Sequence, residues 1–198
     1  MLAENDVGKI QQYKLDALCA ILLHEKWLDQ LTVRSKFLDF LTIAVPILYV
    51  VPRFAAKGTE AHMWVELVWE VIAALLLALA VWKVAMSWDE RAKKHFHLMR
   101  RNQALRTEAD QLLSNVKRVS LDRLIVFLEK ARELEVDDSE MLTGFSKTEE
   151  QRIYREALRQ DNPGAKEVLC PHCQSPTIVH FKSGSCPRCG GTPVSASK

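Results

Sequence analysis

Along the chain the rhythm of apolar positions changes character more than once. From residue 4 to 36, Tyr13, Ala17, Ala20, Ile21, Leu22, His24, Leu28 and Leu31 recur mostly every three or four residues, with charges between them. That is the period of an amphipathic helix. Two blocks with almost no polar face follow, Phe37 to Pro52 and Met63 to Met86. Beyond them the periodic pattern returns. Residues 87–117 predict a helix with a narrow apolar stripe of Phe96, Met99, Leu105, Ala109, Leu112 and Val116, expected to pack as a stalk on the N-terminal helix, while His95 and His97 are expected in water. Ser120 reads as the N-cap of a helix over 121–135 that buries Leu121, Leu124, Ile125, Phe127, Leu128, Ala131 and Leu134 and is broken by Asp137-Asp138-Ser139. Ser146 and Glu149 form a capping box for a helix over 147–160, which Asn162-Pro163-Gly164 terminates.

The two apolar blocks admit two readings. Their charge-free centres, Phe40–Val51 and Val71–Trp82, are 12 residues each, a length common in the cores of soluble proteins. With their flanks they reach 16 and 24 residues, roughly 24 and 36 Å at ~1.5 Å per residue. The second then crosses a bilayer core of ~30 Å, and the first does so by thinning the bilayer or recruiting flanking residues. Trp64, Trp69, Trp82 and Trp88 bracket the second block in the manner of an interfacial aromatic belt. The short link between the blocks makes them a hairpin. Arg34 and Lys36 precede it, Arg91, Lys93, Lys94, Arg100 and Arg101 follow it, and the link carries only Arg53 and Lys57. The positive-inside rule therefore puts both termini in the cytoplasm, with Lys83 snorkelling at that end. Pro46 is a possible kink.

Composition adds little until the cysteines are reached. Across 198 residues, 27 basic and 25 acidic side chains leave a net charge of +2, so no basic field argues for nucleic-acid binding. No secretory signal is expected at the start. Of the 5 cysteines, four stand near the end as Cys170-x-x-Cys173 and Cys186-x-x-Cys189, separated by 12 residues. In a reducing compartment such pairs are metal ligands before they are disulfides. Four thiolates fill the tetrahedral shell of Zn²⁺ and leave no open position, so the expected cofactor is a structural zinc. A rubredoxin-like iron site and a redox disulfide pair are the alternatives. Gly190-Gly191 let the chain fold under the sulfurs, Thr177–Phe181 is a β-prone run, and His172 and His180 are bystanders to a complete thiolate set. The ribbon's surface carries Lys166, Lys182 and Arg188. Its small core makes the metal its main source of folding free energy, and Asn162-Pro163-Gly164 is expected to set it apart as a separate folding unit.

Glu66 and Glu70 share one face of the second block. They line an acidic ring in a pore of several copies, or they snorkel at the interface. Cys19 reads as a packed core residue. No nucleophile has a recognisable base partner and no nucleotide-binding motif is present, so no enzyme and no small-molecule substrate are expected. The fold class expected is mainly α: an N-terminal cytosolic helix over 1–36, a transmembrane hairpin over 37–86, a cytosolic helical region over 87–161 and a small zinc ribbon over 166–192.

In the order of these parts, with "FLDFLTIAVPI", "SWDERAKKHFHLMRRNQALRTEADQL", "GFSKTEEQRIYREALRQ" and the final cysteine pairs, the chain resembles the mobilome two-transmembrane proteins named for a CxxC-x(11)-CxxC signature, relatives of the SLATT two-transmembrane effector domains. The spacer here is 12 residues rather than 11. The resemblance implies a membrane effector of a bacterial antiphage, abortive-infection system. Such a protein is kept silent by a sensing partner protein or ribonucleoprotein, then assembles as a homo-oligomer and permeabilises the inner membrane. The alternative is a membrane-anchored zinc-ribbon adaptor that docks a protein or nucleic acid without forming a pore.

Overall fold

A computed structural model of the chain describes residues 4–55, 57–58, 61–165, 167–176 and 186–191. The fold is mainly helical. Its elements are α1 (Glu4–Ala55), α2 (Ala61–Ala85), α3 (Trp88–Ser114), a 3₁₀ turn (Val116–Arg118), α4 (Leu121–Met141) and α5 (Lys147–Asp161). Contacts divide the chain into two units, Met1–Lys26 with His95–Lys198, and Trp27–Lys94. Helices α1 and α3 contribute to both.

The first unit is an antiparallel assembly built on heptad spacing. Helix α3 buries His95, Leu98, Asn102, Leu105, Ala109 and Leu112, and α4 buries Leu124, Phe127, Ala131, Leu134 and Asp138. These close on Ile10 and Ala17 of α1 in one core, where the Tyr13 ring meets Phe127 edge-on at 6.4 Å. The expected stalk on the N-terminal helix is therefore present, with its buried face set slightly differently. Phe96 is 46% exposed and lies under the Arg100 guanidinium at 5.1 Å, whereas His95, expected in water, is buried. Leu121 and Ile125, expected inside, are exposed.

The expected break at Asp137-Asp138-Ser139 does not occur, and α4 runs on to Met141. A buried aspartate in a helix is costly unless its oxygens are satisfied. Asp138 accepts from His24 Nε2 at 2.9 Å and from Asn102 Nδ2 at 2.9 Å, which removes the reason for the chain to turn there. Both expected caps are observed: Ser120 and Ser146 accept the amides of Arg123 and Glu149.

The second unit has the opposite character. The C-terminal part of α1 and α2 run antiparallel, joined through a turn in which Gly58 has φ 85°. The seam between them is narrow. Tyr49 stacks on Trp69 at 4.1 Å, and Lys83, expected to snorkel, pairs with Asp39 at 2.7 Å and Asp89 at 3.6 Å. Outside the seam large apolar side chains are exposed, among them Phe40, Ile47, Val51, Leu77 and Val84. Two apolar stretches are long enough to cross a membrane, and none of their most apolar window is buried. The two segments expected over 4–36 and 37–52 are one continuous helix that passes through Pro46 and Pro52. Helix α2 ends at Ser87, whose φ of 49° breaks the path for one residue before α3 resumes.

Candidate metal centre

The site begins with two turns of the same shape. In the first, Gln174 N donates to Cys170 O at 2.8 Å and Cys170 N to Ser175 O at 2.9 Å. In the second, Gly190 N donates to Cys186 O and Cys186 N to Gly191 O, both at 3.0 Å. Each is a knuckle that aims the two thiols of a CxxC to one side. The residue after the second cysteine is left-handed in both, Gln174 at φ 58° and Gly190 at φ 71°. A glutamine is held there in the exposed first knuckle. In the second, a Cβ on Gly190 would run into the Gln151 side chain, and one on Gly191 would overlap the Ser175 hydroxyl. Close approach, as much as backbone angle, explains the Gly-Gly pair.

The four sulfurs lie within 4.8 Å of one another and all four residues are buried. All are free thiols. Cys173 Sγ and Cys189 Sγ are 3.4 Å apart, near the separation that bonds of ~2.3 Å to one tetrahedral ion produce. The donors around them suit thiolates. Ser175 Oγ is 2.9 Å from Cys173 Sγ, and the Gly191 amide donates to Cys189 Sγ at 3.2 Å. Such outer contacts orient metal ligands. Burial pushes the Cys170 thiol up to about 12 and also raises Cys189. Cys173 is raised by burial but more strongly lowered by hydrogen bonds from Ser175, and falls to about 7. The chemistry is that of a closed thiolate site: these residues can hold one soft, tetrahedral cation and leave it no free position.

The knuckles are not set apart from the helices, as the Asn162-Pro163-Gly164 break suggests. They share a core with Leu15 and Leu18 of α1 and with Tyr154, Ala157 and Leu158 of α5. Arg155 donates to Cys189 O, and Gln151 Nε2 donates to Cys186 O at 3.2 Å. Arg188 pairs with Asp16 at 3.1 Å. Burial raises the Asp16 carboxyl, an effect that Arg188 opposes. Sequence reasoning missed Ser175, Gln151 and Arg155. The available signal was the run of alternating polar and apolar residues in α5, where Gln151 and Arg155 sit four apart beside Tyr154 and Leu158.

The remaining expected site residues lie elsewhere. His172 is exposed. His180, Lys166, Lys182 and the β-prone run Thr177–Phe181 fall outside the described residues. Cys19 is packed against the core that holds the knuckles, and burial raises its thiol strongly. Glu66 is half-buried and 3.6 Å from His62 Nε2, and Glu70 is exposed.

Fold and site together define a helical protein with two apolar helices long enough to span a membrane and a four-cysteine metal centre docked on its other unit. The chain belongs to the family described as Mobilome CxxCx(11)CxxC protein, whose model matches residues 8–192. No curated protein and no solved structure matches it.

Proposed function

We propose that the chain is a membrane effector of a bacterial antiphage system, resident in the inner membrane with both termini cytoplasmic. A sensing partner, protein or ribonucleoprotein, holds it silent. On release it assembles with further copies and permeabilises the membrane, in the way of the SLATT-type effectors it resembles. Its role is non-catalytic. The zinc at Cys170, Cys173, Cys186 and Cys189 is structural, and Glu66 and Glu70 line the conducting path.

The observation that carries this reading is the exposed apolar surface of the second unit. Contiguous apolar exposure on this scale marks a membrane or partner surface, and a buried soluble hairpin would hide it. Membership of a mobilome family supports the setting of genetic conflict. The His62–Glu66 pair favours the second reading, a membrane-anchored adaptor, because it gives that carboxylate a partner without a pore.

Expression in cells carrying a membrane-potential dye separates the two. The effector depolarises the membrane, and the double change Glu66→Lys and Glu70→Lys alters leakage or its cation preference at equal protein level. Membrane-inserted protein that never depolarises the cell leaves the adaptor. For topology, a cysteine at Gly58 should react with an external thiol reagent and one at Glu129 should stay protected. The reverse pattern overturns the orientation.

A further inference from the structure

The first unit holds a second polar constellation, which the metal site does not use. His24 on α1, His95 and Asn102 on α3, and Asp138 on α4 are all buried, between 0% and 8% exposed. His24 Nδ1 lies 2.8 Å from His95 Nδ1, and its Nε2 lies 2.9 Å from Asp138 Oδ1. Asn102 Nδ2 donates to both oxygens of Asp138. Two nitrogens 2.8 Å apart are too close to share a metal ion at bonds of ~2.0–2.1 Å in tetrahedral geometry. They are at the right distance to share a proton.

The tautomers then follow. Asp138 as acceptor keeps the hydrogen on His24 Nε2, so in the neutral pair His24 Nδ1 accepts and His95 Nδ1 donates. One additional proton fits. His24 becomes an imidazolium, donates to His95 Nδ1 instead, and balances the Asp138 carboxylate. A second does not fit, because two N–H hydrogens would then face each other across 2.8 Å.

We propose that His24 and His95 form a one-proton lock between α1 and α3, which admits a single added proton and is parted by a second. In the unfolded chain the two imidazoles bind independently, near pH ~6.5. Below that range the unfolded chain holds one more proton than the packed unit. Stability rises with pH wherever the unfolded state binds more protons, so here it falls as the pH falls. Acid thus loosens the N-terminal helix from the rest of its unit, whatever the hairpin does.

The surrounding charges do not alter that count. Asp16 of α1, Glu135 of α4, Glu150 of α5 and Arg188 of the second knuckle line, with Asp138 and Asn102, a cavity of about 340 Å³. Arg101 of α3 pairs with Asp137 of α4. The carboxylates favour the first proton, and none of these groups enters the gap between the rings.

The test uses the full metal-loaded chain in detergent micelles, with urea unfolding followed from pH 7.5 to 5. The comparison is with His95→Gln, whose amide can donate to neutral His24 or accept from protonated His24. Between pH 6 and 5 the wild-type folding equilibrium should fall about tenfold more per pH unit than that of the variant, one proton's worth. Acid effects on the metal site are common to both and cancel. Equal slopes overturn the lock. Should His95→Gln not fold, ¹⁵N spectra of wild-type histidines decide: one Nδ1–H···Nδ1 proton shared throughout the folded range supports it, and both rings doubly protonated in folded protein at pH 5 overturns it.

Discussion

The two units solve the burial problem in opposite directions. In the first, heptad faces turn inward and even the polar members of those faces, His24, His95, Asn102 and Asp138, are buried and bonded to one another. In the second, only a seam is covered, and Phe40, Ile47, Leu77 and Val84 stand outside. All five cysteines belong to the first unit and all five tryptophans to the second. The difference teaches what each was built to contact. Apolar surface left bare at this cost in water is stable only where the surroundings are themselves apolar.

The strongest way to break the comparison is to remove the metal. Cys170→Ser, or a chelator, should unfold the knuckles and loosen α5 and the N-terminal part of α1, because Leu15, Leu18, Tyr154 and Leu158 lose their covering. The loss is large, since apparent zinc binding in small sites is on the order of 10 kcal/mol. The hairpin should keep its protection. Hydrogen exchange of the two units reads both, and equal acceleration in both would join what the comparison separates. Acid should have the same effect. Metal displaces protons from thiols that burial has pushed up, Cys170 to about 12, so affinity falls as pH falls. Metal retained without loss at pH 5 would contradict the thiolate assignment.

A second contrast uses packing alone. Phe127 is fully buried, and Phe127→Ala should cost the first unit about 3–5 kcal/mol in a denaturant titration. Leu77 is 67% exposed, and Leu77→Ala should leave that transition where it is. A smaller effect comes from Asn102→Ala, which strips Asp138 of its amide donor. It should destabilise the first unit by ~1–3 kcal/mol, and a neutral result would mean that the polar network adds nothing to the core.

Much of this was legible in the sequence, for physical reasons that can be named. The CxxC pairs declare themselves because thiolate geometry demands that spacing, and Ser120 and Ser146 because caps are local. The apolar blocks were legible as membrane-length segments from run length alone. What was not legible is tertiary. His95 and Asn102 interrupt an apolar heptad, so the sequence stripe was drawn through Phe96 instead. Asp137-Asp138-Ser139 has the composition of a breaker, and only His24, 114 residues away in sequence, explains why it is helix. The docking of the second knuckle on α5 depends on Gln151 and Arg155, whose partners are backbone carbonyls that no side-chain pattern announces.

The central claim is that the second unit lives in lipid, and its tryptophans make it directly measurable. Trp27, Trp64, Trp69, Trp82 and Trp88 all lie within Trp27–Lys94, so intrinsic fluorescence reports that unit alone. The full chain would be reconstituted into vesicles containing lipids brominated at different depths along the acyl chain. The account predicts strong quenching, greater for bromines near the headgroups than for bromines at the bilayer centre, as an interfacial belt requires. Fluorescence indifferent to the brominated lipids would place the hairpin outside the bilayer and contradict it.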